Sequence, residues 1–408
     1  MPATAYSHIL LQFLDEASFL WERYNAALTA PHYNPVKLAE LKERLEAQLD
    51  GLRSCEDDGW EALAKRICDK PVTGEIFTAS VLAIDSADTN RIDTILNAII
   101  KPDHALELAS ALSWFPFNKT RSLCDTFLES SSLLLQFAGL SAYAAFREPS
   151  PKHLYATLDS KDLLLRSCAL KMIGELNLTD KLSIVKAHFS DENPLCAFRA
   201  AWSAALMGDK SALQVLLHFT DTKFNFADEA AMVAIRKAGL NNGPALVHEL
   251  TKNPYKIRFA IIGAGALGDI SNIPWLIDMM KQKPHSRIAG EAFSTITGLD
   301  IVNLHMDTDA PEDFEETPND DPADKCVDLD ADYFLPWPDL NKIKAWWNEH
   351  AVEFTPNTRY LCGKLICKAD LTHLVNNGYQ RQRYAAAIEL MEFQAGEPLV
   401  ETRLRTEN

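Results

Sequence analysis

The sequence predicts an all-α protein built as a stack of helix-turn-helix repeats, and three periodic features carry that expectation. A small residue recurs at Ala138, Ala169, Ala200, Ala231, Ala260 and Gly290, at intervals of 31, 31, 31, 29 and 30. Eight positions after each stands Phe146, Asn177, Gly208, Gly239, Gly268 or Gly298. Five of these six are Gly or Asn, the residues that tolerate the left-handed backbone closing a helix. A further eight residues on, the chain is aliphatic at Leu154, Val185, Leu216, Val247 and Leu276, with Met306 in an irregular last copy. A unit of about thirty residues cannot bury its own apolar face and is stable only against its neighbours, so the expected architecture is an α-solenoid.

Taken in order, residues 1–70 read as an N-terminal helical cap outside the thirty-residue phase. A helix is expected over His8 to Leu28, where Leu10, Phe13, Leu14, Leu20 and Tyr24 give a broad apolar face. Pro31 and Pro35 interrupt it, and Leu38, Leu41, Leu45, Leu49 and Leu52 predict a second helix from about Val36 to Leu52. Gly51 and the Asp57, Asp58, Gly59 cluster are read as its end, with a short helix from Trp60 to Cys68. Residues 71–298 form the repeat region. Two less regular pairs occupy 71–135, with the eight-residue spacing visible from Ala79 to Ala87 and a breaker at Pro116; the phase is clean from 136. Asp209 and Asp269 are placed to cap the helices that follow them. Residues 299–335 read as a solvated acidic loop, with thirteen acidic residues from Asp300 to Asp332 against Lys325 alone. Residues 336–408 read as a C-terminal cap: Pro336 to Asp339 introduce a helix with Trp346 and Trp347, and Arg383 to Met391 form a last repeat-like helix before a frayed tail.

Composition narrows the setting. Hydrophobic content of 47% supports a continuous core, and 16 glycines in 408 residues are few for a protein of many turns and strands. The formal charge of −17 opposes nonspecific attraction to nucleic acid or anionic membranes, leaving neutral, basic or protein partners. The first fifteen residues show neither a basic leader nor a secretory apolar core, and no run approaches the roughly 18 apolar residues of a membrane span, so a cytoplasmic location is expected. The eight cysteines lack C-x-x-C spacing, which indicates neither a zinc site nor a disulfide framework.

Chemical motifs are weak. Gly263, Gly265 and Gly268 match the dinucleotide pattern, but the Gly268-Asp269 pair repeats Gly208-Asp209 in phase, so close helix packing is the expected role. His188, His218 and His248 recur thirty residues apart, yet adjacent rungs of about 10 Å are too far apart to share one metal. They read as partly exposed polar positions. The acidic run, including Asp307, Asp309, Glu312, Asp313, Asp320, Asp321, Asp324, Asp328, Asp330 and Asp332, lacks calcium-loop spacing and any glycine from 299 to 335. It reads as a mobile insertion, or alternatively as a flap attracting a basic partner. No nucleophile elbow surrounds a serine or cysteine. Trp337, Trp346 and Trp347 remain as the candidate partner-binding residues, against the alternative that they form the core of the cap.

The repeat pattern of residues 71–298 resembles the HEAT-like class of α-solenoids. Three sets of residues carry a closer likeness: Phe19 to Arg23 with Arg44 to Arg53; Ala289 to Phe293 with Ile296 to Gly298; and Trp337 to Asp339 with Trp346, Trp347 and Arg359 to Gly363. Together they resemble a bacterial family of uncharacterised HEAT-repeat proteins associated with type VI secretion gene clusters. The resemblance implies a cytoplasmic, non-catalytic adaptor or effector chaperone whose partner is a secretion effector or spike component, without a cofactor. The alternatives are an immunity protein that blocks a toxin and, from the enzyme class, a HEAT-like bilin lyase. The family pattern supplies no catalytic residues to carry over.

Overall fold

Several helices begin at a side-chain cap, and the repeat helices end at or just before a left-handed residue. The computed structural model describes residues 3–312, 314, 317 and 329–403. Helix makes up 69% of it and each of the four strands has two residues, so the class is all-α. Asp313, Asp320, Asp321, Asp324, Asp328 and Cys326 lie outside the described residues.

The chain forms two compact units, one running to Lys181 and including the segment from Gly396, the other spanning Leu182–Ala395. The first contains α1 (Ala3–Ala27), α2 (Pro35–Ser54), α3 (Glu56–Asp69), α4 (Thr73–Ser86), α5 (Thr89–Ala98), α6 (Pro102–Leu112), α7 (Phe117–Leu128), α8 (Leu133–Ala145), α9 (Pro151–Leu158) and α10 (Leu163–Glu175). The second contains α11 (Leu182–Ala187), α12 (Pro194–Leu206), α13 (Ala212–His218), α14 (Ala227–Thr251), α15 (Ile257–Leu267), α16 (Ile273–Met279), α17 (Lys283–Thr297), β1 (Asp307–Thr308), β2 (Trp337–Pro338), α18 (Leu340–His350), β3 (Tyr360–Leu361), β4 (Lys364–Leu365), α19 (Lys368–Asn377) and α20 (Gln380–Leu390).

The thirty-residue phase has a direct physical counterpart. The small position is fully buried at Ala79, Ala138, Ala169, Ala200, Ala231 and Ala260. A larger side chain there would force neighbouring helices apart, at a cost of roughly 1–3 kcal/mol. The aliphatic position is equally buried at Leu154, Val185, Leu216 and Leu276. The marker between them is left-handed, with φ of 54° at Ala87, 52° at Asn177, 90° at Gly208, 60° at Gly239, 73° at Gly268 and 76° at Gly298. Gly239 splits α14 into two helices in one continuous run. One copy departs: Phe146 keeps a right-handed backbone, and the left-handed turn moves on to Arg147 at φ 56°.

Helix starts follow the capping rule. Asp162 accepts hydrogen bonds from the Leu164 and Leu165 amides, Asn193 from Leu195 and Cys196, and Asp339 from Asn341 and Lys342. Each such cap stabilises its helix by about 1 kcal/mol. Asp209 and Asp269 do not cap α13 and α16 themselves: they accept from the amides of Ser211 and Ser271 in the turns just ahead, and the N-caps of those helices, Ser211 and Asn272, make no side-chain cap bond.

The first-unit core joins the leucine stripe of α2 to α1 and to an aromatic cluster. Trp21 and Phe77 stack with centroids 3.5 Å apart, and Trp114 meets both edge-on. The second-unit core centres on Phe259, Phe293, Leu267, Leu276, Ile296 and Ile343.

Two further sequence expectations need correction. Gly51 and the Asp57, Asp58, Gly59 cluster do not end a hairpin: Gly51 lies inside α2 and the cluster lies in the first turns of α3. A Cβ on Gly51 would come within 2.8 Å of the Phe13 ring, so this glycine serves helix packing, while the acidic residues complement the positive end of α3. The tail is not frayed over its described part. Leu399 is 2% exposed and its amide donates to the Glu175 carbonyl at 2.7 Å.

Candidate interaction surface

The sequence-predicted tryptophans lie in the second unit around a short ribbon. β1 pairs antiparallel with β2, bringing Thr308 opposite Trp337, and the Asp339 amide donates to the Met306 carbonyl at 2.7 Å. This fixes the start of α18. The Trp337 ring is buried, with the Arg287 guanidinium 4.8 Å and the Phe314 ring 4.8 Å from its centre. Trp346 and Trp347, adjacent on α18, both meet Phe293 edge-on, at 5.9 and 6.2 Å. Trp346 also stacks on His350 and Trp347 packs against Phe354. Both indoles are half-buried. Trp337 therefore anchors the ribbon from below, whereas Trp346 and Trp347 keep an edge at the surface.

The acidic segment is tied down at its far end. Arg258 bridges Asp228 at 2.9 Å and Asp332 at 2.8 Å, and Arg287 reaches Asp330 at 2.6 Å. Burial alone would lower the Arg258 pKa, but the hydrogen bonds and charges of Asp332 and Asp228 outweigh it and hold the group above its usual range. Asp332 is buried and Asp330 half-buried, so neither is the fully solvated carboxylate that composition suggests. Asp309 and Glu312 remain exposed. Four large apolar side chains are also exposed in this region: Val302 and Leu304 are each 52% exposed, Tyr333 42% and Phe334 50%. They occupy the turns leading into the two ribbon strands. The Lys342 ammonium donates to the His305 carbonyl at 2.8 Å, fastening the first of these turns to α18.

A different edge of the second unit is filled by its own C-terminal segments. The Tyr360 amide donates to the Gly268 carbonyl at 2.8 Å, Cys362 to Thr295 at 2.7 Å and Gly363 to Ile296 at 2.9 Å. A Cβ on Gly268 would lie 2.3 Å from the Tyr360 carbonyl oxygen, and one on Gly298 2.5 Å from that of Cys362. Glycine is required there for space as well as for φ. Beside them Glu389, with no exposed surface, meets Arg236 at 3.0 Å and Arg359 at 2.5 Å, and Lys237 donates to the Ile388 carbonyl at 3.1 Å. Burial would raise the Glu389 carboxyl, but Arg236 and Arg359 outweigh it and hold it below the usual range. Burial lowers both Arg236 and Lys237. α20 also reaches earlier helices, through Arg381 to Glu291 and the Tyr384 hydroxyl to Glu229, each at 2.7 Å.

The remaining sequence candidates fall into ordinary places. Gly263 and Gly265 lie within α15, where a Cβ on Gly263 would come 2.0 Å from Ile235 Cδ1 and one on Gly265 3.0 Å from Ala292. Helix contact, not a phosphate loop, sets these glycines. His218 and His248 are exposed on α13 and the second half of α14; His188 is half-buried beside Asp191 at 3.4 Å. Among the described residues no three His, Cys, Asp or Glu side chains gather as a metal-ligand set. Burial pushes the Cys124 and Cys362 thiols up to about 12, which leaves them protonated near neutrality. No helix among the described residues is long and apolar enough to cross a membrane.

Sequence reasoning missed Arg236, Lys237 and Glu389. Arg236 and Lys237 stand as two successive cations three and two residues before the Gly239 marker, a pair that no other copy carries there, whereas nothing local marks Glu389. No family model matches the chain, and no curated protein matches it.

Proposed function

We propose that the protein is a non-catalytic, cytoplasmic protein-binding scaffold, an adaptor or effector chaperone that holds an effector or spike component of a type VI secretion machine. The observation that carries the binding role is the exposure of Val302, Leu304, Tyr333 and Phe334 in the turns that lead into the two ribbon strands, within the same acidic segment as Asp309 and Glu312. Large apolar side chains rimmed by charge characterise protein-interaction surfaces, and acidic residues beside them favour a partner with a basic rim. Trp346 and Trp347 extend this surface along α18, while Trp337 holds it in shape. The secretion setting rests on the sequence resemblance alone. An immunity role, in which the same surface covers a toxin, is the competing outcome.

The test is affinity purification of the tagged chain from cells expressing the secretion system, with identification of retained proteins. Recovery of a spike component, or of an effector whose loading fails without this chain, is the expected result. A retained toxin that kills its own cell in this chain's absence would replace the adaptor reading by immunity. Retention of general chaperones alone would contradict the scaffold reading.

A further inference from the structure

In both units a later segment of the chain lies against helix ends, and in the first unit that segment is extended and held in a way that resembles a bound peptide. Residues 396–403 carry neither helix nor strand. The Leu399 amide donates to the Glu175 carbonyl at 2.7 Å, and the Leu399 carbonyl accepts from Arg147 Nε at 2.9 Å. Asn177 Nδ2 donates to the Glu397 carbonyl at 3.1 Å, fixing the segment two residues earlier. The Leu399 side chain is buried. Two residues later the Glu401 carboxylate meets the Arg147 guanidinium at 2.9 Å, and the same guanidinium is braced by Glu175 at 3.1 Å. The receptor atoms therefore read backbone at two residues, an apolar side chain at one and a negative charge at another. This combination gives extended-peptide recognition its affinity and its specificity.

The connection to this segment is largely exposed and is fixed at its start by the Glu392 pair with Lys237 at 3.3 Å. Glu392, Phe393, Ala395, Gly396 and Glu397 are exposed, and Gly396 takes φ 81°, a conformation that leaves the chain free to turn without a side-chain penalty. Opening the segment breaks the contacts just named and leaves the helices of the receptor intact.

We infer that the C-terminal ends of α8 and α10 form a peptide-docking groove for an extended segment of a partner protein carrying leucine followed two positions later by a carboxylate, and that the chain fills this groove with its own residues 397–401. Arg147 and Asn177 are its reading residues, Arg147 for the carboxylate and both for backbone carbonyls. The internal segment competes at the high effective concentration of a tethered ligand, so a partner peptide gains entry only as the tail leaves. This groove is separate from the surface on α18 and does not depend on it.

The experiment uses a fluorescein-labelled peptide with the sequence of residues 396–403 and the full chain. In the variant Leu399→Ser/Glu401→Gln the tail is weakened, and the labelled peptide is expected to bind at least tenfold more tightly than to the unaltered chain by anisotropy. Adding Arg147→Ala to that variant returns binding to the level of the unaltered chain. Equal binding to the tail variant and the unaltered chain, with the variant still melting cooperatively, overturns the inference. Hydrogen exchange on the unaltered chain tests the same point without substitution: amides of 397–403 are expected to exchange at least tenfold faster than those inside α8 and α10, and exchange at one common rate overturns it.

Discussion

The left-handed turns of the two units reach the same backbone conformation by different means. In the second unit Gly268 and Gly298 sit where the carbonyls of Tyr360 and Cys362 would collide with any Cβ. In the first unit the corresponding turns carry Arg147 and Asn177, and the side chains themselves hold the chain that passes. The difference is one of reach. Where a passing carbonyl presses on the Cα of the left-handed residue only glycine fits, whereas the segment beside Arg147 and Asn177 leaves room for side chains whose hydrogen bonds to it offset the strain of a left-handed non-glycine residue.

Buried carboxylates are held in two ways, shown most clearly by Glu389 in the second unit and Glu107 in the first. Glu389 is paired with two guanidiniums and stays ionised. Glu107 in α6 receives only the Trp21 indole N–H, at 2.5 Å, and burial, aided by the nearby charge of Glu22 and Asp103, raises it to about 7. One carboxylate is an ion-pair anchor, the other a group that keeps its proton into the neutral range.

These contrasts set the expected effects in order. Removing Glu389 by alanine leaves Arg236 buried without its partner, and denaturant unfolding of the second unit is expected to lose about 3–5 kcal/mol. A loss below about 1 kcal/mol would show that the pair is not an anchor.

Glu107 works through pH. Its folded pKa lies above the unfolded value of 4.5, so the folded state holds a proton that the unfolded state has already released. Stability is therefore expected to fall as pH rises from about 4.5 to about 7, by on the order of 3 kcal/mol, and to change little above that through this group. Glu107→Gln should flatten that slope in a series of melts. Glu389, with its pKa lowered, acts in the other direction: its contribution is present above the ordinary carboxylate range and is lost as pH falls below it.

Next in size, Gly298→Ala meets both a positive φ and the Cys362 carbonyl, and is expected to cost about 2–3 kcal/mol in thermal unfolding. Arg147→Ala removes charge-assisted bonds to Glu401 and Glu175, for an expected loss of about 1.5–3 kcal/mol confined to the first unit. The smallest effect belongs to Gly208→Ala. Nothing lies within 4 Å of the added Cβ, so only the φ penalty of about 1 kcal/mol remains. If Gly208→Ala and Gly298→Ala proved equally costly, backbone conformation alone would explain the glycines and the comparison would lose its steric half.

Much of this organisation was legible in residue order. The buried alanines, the left-handed markers and the aliphatic positions follow from local rules that any copy of the repeat obeys, so spacing alone located them. Arg147 was not visible because the marker slipped by one residue, and nothing local distinguishes Phe146 from the residue after it until the docked tail is seen. Asp330 and Asp332 were hidden for the opposite reason. Their neighbours in sequence are largely acidic, and only the long-range approach of Arg287 and Arg258 distinguishes the half-buried Asp330 and the buried Asp332 from them. The tryptophans left two readings open, since an indole suits a core and an interface equally well. Trp337 lies in the first environment, and Trp346 and Trp347 stand between the two.

The scaffold reading is tested most directly by comparing retention of the copurifying partner by the unaltered chain and by the double variant Val302→Asp/Phe334→Asp. Both side chains are about half exposed, so the melting profile should be unchanged. The expected result is at least a tenfold weaker hold on the partner, with retention unaffected by a matched pair of substitutions at exposed His218 and His248. Equal retention by the double variant would contradict the account and place the partner elsewhere on the molecule.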